Sequence, residues 1–344
     1  MQILFSLMMC KGCANSINFF CYNSSDMIMV TGGTGFIGNV LIRQLSNLGY
    51  PIKLLIRPSK ASPNFPIGVP LEVAISSFSD AKGLRAAMKG VDIVYHLASA
   101  ESLGRKAELT PVDVQGTEML VQAAAQAKID RFIYLSHLGA DSSSAYPALK
   151  AKGRAENAIR NANFPYTIFR SAIAYGERDH FSNGLAFLLK ISPFFVPLPD
   201  NGSMLLQPIW VDDLVNALIW TIDMPQLANE IIEIGGPEYL TFKEICLIIS
   251  EKIGVKRQFF NVPPVYLNWL TEILEIITPN FPTSVFWMDY LASNRTTALD
   301  ALPRMFSLNP ARMNQRLDYL EGKNFRKNWW KFILRRKRTI PRWD

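Results

Sequence analysis

Short apolar runs and helically spaced apolar sets alternate along the first half of the chain. The runs at 27–31, 51–57, 71–75, 91–97, 131–136 and 166–170 predict strands. The stretches between them predict helices over 39–48, with Val40, Leu41 and Leu45 on one face, and over 80–88, 112–127 and 148–161. Strands and helices in this alternation imply a parallel sheet covered on both faces. Right-handed crossovers then make it a doubly wound α/β fold, with its ligand at the carboxyl ends of the strands. After about residue 177 the pattern loosens. Prolines 193, 197 and 199 mark turns, a helix opens near Val211-Asp212-Asp213, and 231–234 reads as a short strand before Gly235-Gly236-Pro237. Thr241 and Glu244 form a capping-box pattern for a helix running to 253. Leu267, Leu270, Leu274 and Ile277 stand at helical spacing within 264–277. We expect a core over 27–177 and a small α/β lobe over 178–322, interleaved with the core and roofing its ligand edge.

Between the first strand and the first helix lies Thr31-Gly32-Gly33-Thr34-Gly35-Phe36-Ile37-Gly38. Strand, glycine-rich turn and helix is the context of a dinucleotide loop. Gly32 permits the tight turn, Gly35 lets the backbone approach a pyrophosphate, and Gly38 lets the helix pack on the strand. The helix N-terminus offers N–H groups and partial positive charge to phosphates.

Charge is distributed unevenly. Residues 323–344 carry nine Lys or Arg and one acid, whereas the other 322 residues carry 27 basic and 28 acidic side chains. The body is therefore close to neutral, and the net +7 is not a nucleic-acid signature. Three of the four cysteines, Cys10, Cys13 and Cys21, precede the first strand, while Cys246 lies in an apolar helical stretch. No second Cys pair or nearby His supports a metal at Cys10-x-x-Cys13, so no metal is expected, and a reducing cytoplasm is the expected location. Residues 1–26 fit the domain poorly. They are read as a disordered extension or a misassigned start, too short in their apolar part to span a bilayer.

Six segments in order resemble the extended and atypical branch of the short-chain dehydrogenase/reductase superfamily, an NAD(P)-binding Rossmann fold. These are Thr31–Gly38, Gly90–Ser99 (GVDIVYHLAS), Val114–Thr117, Arg170–Gly176 with Ser171 replacing a proline, Gln207–Asp213 and Ile234–Thr241. The resemblance is greatest to the group around the nucleotide-binding accessory subunit of respiratory complex I and its bacterial relatives. It implies that a nicotinamide dinucleotide is bound by Gly32, Thr34, Gly35, Phe36, Ile37 and Gly38, and by Leu97, Ala98 and Ser99 after the fourth strand. It also implies that His96 packs beside the cofactor.

The residue ending the second strand is Arg57, with Lys60 close behind, where NAD-selective loops carry an acid. A guanidinium there pairs with a 2′-phosphate, so NADP(H) is favoured over NAD(H). Working members of the superfamily use Ser, Tyr and Lys. Ser136 ends the fifth strand and fits the serine role. Two registers compete for the others. Tyr146 and Lys150 have the Tyr-x3-Lys spacing, but Pro147 keeps Tyr146 out of the helix. Lys152 with Glu156 fits the family pattern better and puts Ala148 where the tyrosine would stand. The candidate catalytic set is therefore Ser136, Lys152 and Tyr146, with Lys152 also a ribose ligand and His137 a substitute acid.

These departures imply two readings. One is a nucleotide-stabilised accessory, assembly or redox-sensing protein. The other is an active reductase, dehydrogenase or epimerase on a small or lipid-like substrate. In the last segment Phe325, Trp329, Phe332 and Ile333 recur at helical spacing among cations. That pattern suits an anionic membrane surface or a membrane protein complex, with the protein peripheral at the cytoplasmic face.

Overall fold

The computed structural model describes residues 26–59, 68–278 and 282–323. Strand β1 (Ile28–Thr31) leads through the glycine turn into α1 (Phe36–Asn47), followed by β2 (Ile52–Ile56), β3 (Glu72–Ile75), α2 (Ala81–Ala87) and β4 (Ile93–His96). A 3-10 turn (Glu101–Lys106) and a π turn (Thr110–Gln115) precede α3 (Gly116–Ala127), β5 (Arg131–His137), α4 (Pro147–Arg160) and β6 (Tyr166–Ser171). The second half begins with β7 (Ala174–Tyr175), α5 (Ser182–Ile191), β8 (Phe195–Pro199), β9 (Leu205–Leu206), β10 (Ile209–Trp210) and α6 (Val211–Trp220). It continues through β11 (Glu230–Ile234), β12 (Leu240–Thr241), α7 (Phe242–Lys252), β13 (Gln258–Val262), α8 (Pro264–Ile277), α9 (Val285–Tyr290) and α10 (Ala301–Phe306).

Seven strands form one parallel sheet in the order β11-β6-β5-β4-β1-β2-β3. The order reverses between β1 and β4, which is the topological switch point where ligands bind in doubly wound folds. One apolar layer gathers Leu41, Ile42 and Leu45 of α1 with Leu214, Val215 and Leu218 of α6. The other face is covered by α2, α3 and α4 through Leu84, Leu120, Ala124, Ala155 and Ile159. A third apolar cluster joins α5, α7 and α9 through Phe187, Ile245, Ile249 and Tyr290. Beside it are three two-stranded pairs, β10–β7, β12–β9 and β13–β8. The chain re-enters the main sheet at β11, which pairs with β6 from Thr167↔Glu230 to Ser171↔Ile234.

Three local expectations need correction. The helix expected over 112–127 begins as a wide turn after Pro111 and becomes α-helical only at Gly116, where a Cβ would crowd the Phe78 ring at 3.0 Å. The first helix opens at Phe36, directly after the glycine turn, rather than at 39. Helix α8 is also inverted with respect to its apolar spacing. Its buried positions are Thr271 and Glu275, and Glu275 accepts the Arg105 N–H at 3.0 Å. Val265, Tyr266, Trp269, Leu270, Ile276 and Ile277 are instead exposed, Ile277 by 70%.

Candidate functional site

Gly32 adopts φ +73°, and a Cβ there would meet the Ala98 N at 2.6 Å. The backbones that end β1 and β4 therefore touch at the switch point, bringing the glycine turn against Leu97, Ala98 and Ser99. The turn closes through the Gly35 N–H, which donates to Gly32 O at 2.9 Å. Gly38 lies flush on this turn, and a Cβ would collide with Gly32 O and come within 2.7 Å of Gly33 Cα. Gly35 differs, because a Cβ would have only Gly32 O, at 3.1 Å, within 4 Å. The space over Gly35 is open at the head of a helix whose first turn has no side-chain cap. Uncapped N–H groups beside an open glycine fit a pyrophosphate. Thr34 is exposed here, and the Phe36 ring lies against Gly176, where a Cβ would stand 3.0 Å from it. Ile37 packs into the core beneath the turn.

Arg57 is exposed directly after β2, the position that would meet the adenosine ribose. Lys60 lies outside the described residues, as do Cys10, Cys13 and residues 324–344. Among the described residues no group of His, Cys, Asp or Glu is arranged to hold a metal ion. Cys246 is buried, which pushes its thiol up to about 12.

His96 lies fully buried between β1, α3 and β5. The Thr117 hydroxyl donates to Asp113 O at 2.6 Å, so its oxygen accepts from His96 Nε2–H at 2.9 Å. His96 Nδ1 then accepts from the Thr31 hydroxyl at 2.6 Å. The ring stacks on Tyr134 with centroids 5.4 Å apart. Burial, with the charge of Lys152 adding, lowers the His96 pKa to about 3. This residue is a neutral structural bridge.

The end of β5 departs furthest from expectation. Successive residues of a strand face opposite sides. Ser136 faces α4, where its hydroxyl donates to Glu156 Oε1 at 2.5 Å. Glu156 is buried and also receives Arg170 Nη2 at 2.7 Å and Arg170 Nε at 3.2 Å. The serine thus belongs to an internal ion-pair network. His137, the next residue, faces the lobe, and its Nε2 stands 2.9–3.0 Å from both oxygens of Glu101. Burial opposes the charge on Glu101, but His137 and Lys152 together hold its pKa down to about 2.

Helix α4 begins with Pro147 in its first turn and Tyr146 as an extended, half-buried N-cap. Ala148 and Lys152, one turn apart, both face inward. Lys152 is 3% exposed, with its Nζ 3.4 Å from Leu135 O, 3.8 Å from Asp113 Oδ1 and 5.3 Å from the Tyr134 ring centroid. Burial disfavours its charge, yet Tyr134, Glu101 and Asp113 raise its pKa above the ordinary lysine value. Tyr146 and Lys152 are therefore not neighbours on one helical face. Glu101 and Glu156, which organise this end of the sheet, have no sequence spacing that marks them as partners of His137 and Ser136.

The profile of the NAD(P)H-binding family matches residues 32–180. The chain is 30% identical over 240 residues to the Arabidopsis thaliana mitochondrial NADH dehydrogenase [ubiquinone] 1 alpha subcomplex subunit 9. That match covers 68% of this chain and 60% of the relative, so the chain spans less than two thirds of that relative's length. It is 28% identical over 240 residues to the ceramide reductase of Caulobacter vibrioides, covering 69% of this chain and 74% of the relative. In fold it resembles a nucleoside-diphosphate-sugar epimerase of Staphylococcus aureus, with a TM-score of 0.67 at 17% identity over 85% of this chain and 99% of that one.

Proposed function

We propose that the chain is an NAD(P)H-binding protein of the atypical short-chain dehydrogenase/reductase kind, and that it is a nucleotide-stabilised accessory, assembly or redox-sensing protein that works at a membrane. The observation carrying this reading is the state of the expected catalytic trio. The Ser136 hydroxyl is committed to Glu156, Ala148 occupies the tyrosine position, and Lys152 is enclosed by Tyr134, Asp113 and Leu135 O. The dinucleotide loop, by contrast, is complete. Gly32, Gly35 and Gly38 with the α1 N-terminus would hold the pyrophosphate, Leu97, Ala98 and Ser99 would line the next strand end, and Lys152 would be the ribose ligand.

NADP(H) is favoured over NAD(H) because Arg57 directly follows β2, where an acid would repel a 2′-phosphate. The outward apolar face of α8 supports a membrane or a membrane protein complex as partner. So does the place where the basic segment leaves the body. Lys323 donates to Asn183 Oδ1 at 2.8 Å, and Pro282, five residues past the end of α8, packs beside Gly184. Among the described residues no helix is long and apolar enough to cross a membrane.

Thermal unfolding of the full chain tests the nucleotide reading. Ligand at a hundredfold excess over its Kd stabilises by about 2.7 kcal/mol. NADPH should raise Tm more than NADH at equal concentration, and Arg57→Asp should remove the difference. Equal shifts in both proteins would overturn the NADP(H) assignment. A second reading, an active NADP-dependent reductase, dehydrogenase or epimerase, is favoured by His137, which is oriented by Glu101 at the cleft side of β5. A bound nicotinamide supplies hydride chemistry. This chain would contribute His137 as the proton-transferring group, with the Glu101 carboxylate orienting its ring.

A further inference from the structure

A second group of buried polar side chains lies on the lobe side of the β5 end. Its centre is Arg295, between α9 and α10. The backbone of this residue is fixed, since its N–H donates to Leu205 O at 2.8 Å and it bridges Leu206. The side chain crosses from the lobe to the loop between β5 and α4 and is 5% exposed overall. Nη1 donates to Leu138 O at 3.4 Å, and the guanidinium carbon lies 5.5 Å from the Tyr290 ring centroid. Gly139 provides the room, because a Cβ at that position would collide with Nη1.

The two other donor-bearing atoms, Nε and Nη2, are buried and have no hydrogen-bond partner among the described residues. They form one edge of the guanidinium, with N–H bonds projecting in parallel. That edge is the one that grips two oxygens of a carboxylate or phosphate at once. Among the described residues no carboxylate pairs with Arg295. Burial lowers its pKa, and the groups acting in the opposite sense are two tyrosines, Tyr290 and Tyr146. A guanidinium keeps its proton even so, which leaves a buried cation without a counterion among the described residues. His137 approaches the same aromatic ring edge-on, with centroids 6.1 Å apart. Its Nε2 is held by Glu101, and its Nδ1 is buried with no hydrogen-bond partner among the described residues.

We propose that Arg295 and His137 form a receptor for the anionic group of a small ligand, a carboxylate or a phosphate monoester, seated against Tyr290 between the β5–α4 loop and the lobe. The Nε/Nη2 edge takes two oxygens of the anion. His137 Nδ1 offers a further polar contact beside Tyr290, and Glu101 fixes the orientation of the ring. The site is separate from the one expected for the dinucleotide phosphates, which belong at the β1–α1 turn, two strands away in the sheet. The inference goes beyond the dinucleotide reading and holds whether or not the protein turns over a substrate.

The test is calorimetric titration of the full chain with inorganic phosphate and, separately, with malonate, at ionic strength held constant with potassium chloride. The wild type should bind at least one of them saturably, and the stronger of the two identifies the phosphate or the carboxylate as the natural group. Arg295→Gln should abolish this binding. Arg295→Lys keeps the charge but lacks the fork, and should weaken binding about tenfold or more. Both variants should retain wild-type affinity for NADPH, which also confirms that they fold. Should Arg295→Gln fail to fold, the lysine variant decides alone. Absence of saturable binding by the wild type, or wild-type affinity in Arg295→Lys, would overturn the proposal. Loss of NADPH binding in the wild type would instead strike the dinucleotide reading and leave this one standing.

Discussion

The ends of β1 and β5 are two strands apart in one sheet, yet they are built on different principles. The β1 end is made of backbone. Gly32, Gly35 and Gly38 remove side chains so that a turn can close, a helix can pack and N–H groups can stand open. The β5 end is made of buried charge. Ser136, Glu156 and Arg170 form one network, and His137, Glu101, Lys152 and Asp113 form another. The first kind of site waits for a ligand's charge, whereas the second has satisfied most of its polar groups internally. A strand end that spends its serine on an interior ion pair has little left with which to polarise a substrate carbonyl.

The sharpest way to break the β5 end is Glu156→Ala, which takes the acceptor from Ser136 and leaves Arg170 only Glu233, at 3.7 Å. Arg170 is partly exposed and keeps Glu233, so the cost sits at the low end for a buried pair, about 3 kcal/mol, measurable by denaturant unfolding. At the β1 end, Gly38→Ala forces a methyl group into the turn and should cost about 2–3 kcal/mol. Gly35→Ala separates stability from binding. Its Cβ meets one atom, so stability should change by less than about 1 kcal/mol while NADPH affinity falls at least about tenfold. A smaller effect follows from His96, which touches Thr31 of β1 and stacks on Tyr134 of β5. Its pKa falls from 6.5 in the open chain to about 3 when buried, so the folded state binds fewer protons. The contribution is complete above pH 6.5 and declines as pH falls toward 3, at up to about 1.4 kcal/mol per pH unit. His96→Asn should lessen that slope in unfolding measured between pH 7 and pH 5, and an unchanged slope would remove His96 as its source. The mildest change is Ser136→Ala, which should cost about 1 kcal/mol and leave NADPH affinity as it was.

How much was legible follows the same division. The β1–α1 turn is a local demand of backbone geometry, and its glycines declare it. The strand succession and the resulting NAD(P)-binding fold were readable for the same reason, since apolar period and punctuation act over a few residues. Pro147 correctly kept Tyr146 out of α4. The roles of Ser136 and His137 were not legible, because which of two adjacent strand residues faces the cleft depends on register against α4 and the lobe. Glu101 lies 36 residues from His137 and Glu156 lies 20 from Ser136, so no short spacing exposes either pairing. The bridge that His96 makes between Thr31 and Thr117 was not readable, because a motif names a residue without saying which side of the strand it takes. Helix α8 had the right period, but a period does not reveal which face is covered. Thr271 and Glu275 turn inward there because Glu275 caps the turn at Arg105.

The central claim is that the nucleotide is held at an intact loop beside a β5 end that does not run the superfamily's serine-dependent chemistry. The most direct test loads the full chain with NADPH, adds fractionated metabolite and lipid extract, and follows nicotinamide absorbance through a single turnover. The account predicts tight binding with absorbance that stays constant, in the wild type and in Ser136→Ala alike. Rapid oxidation that is lost in Ser136→Ala and Lys152→Ala variants still able to bind NADPH would contradict it.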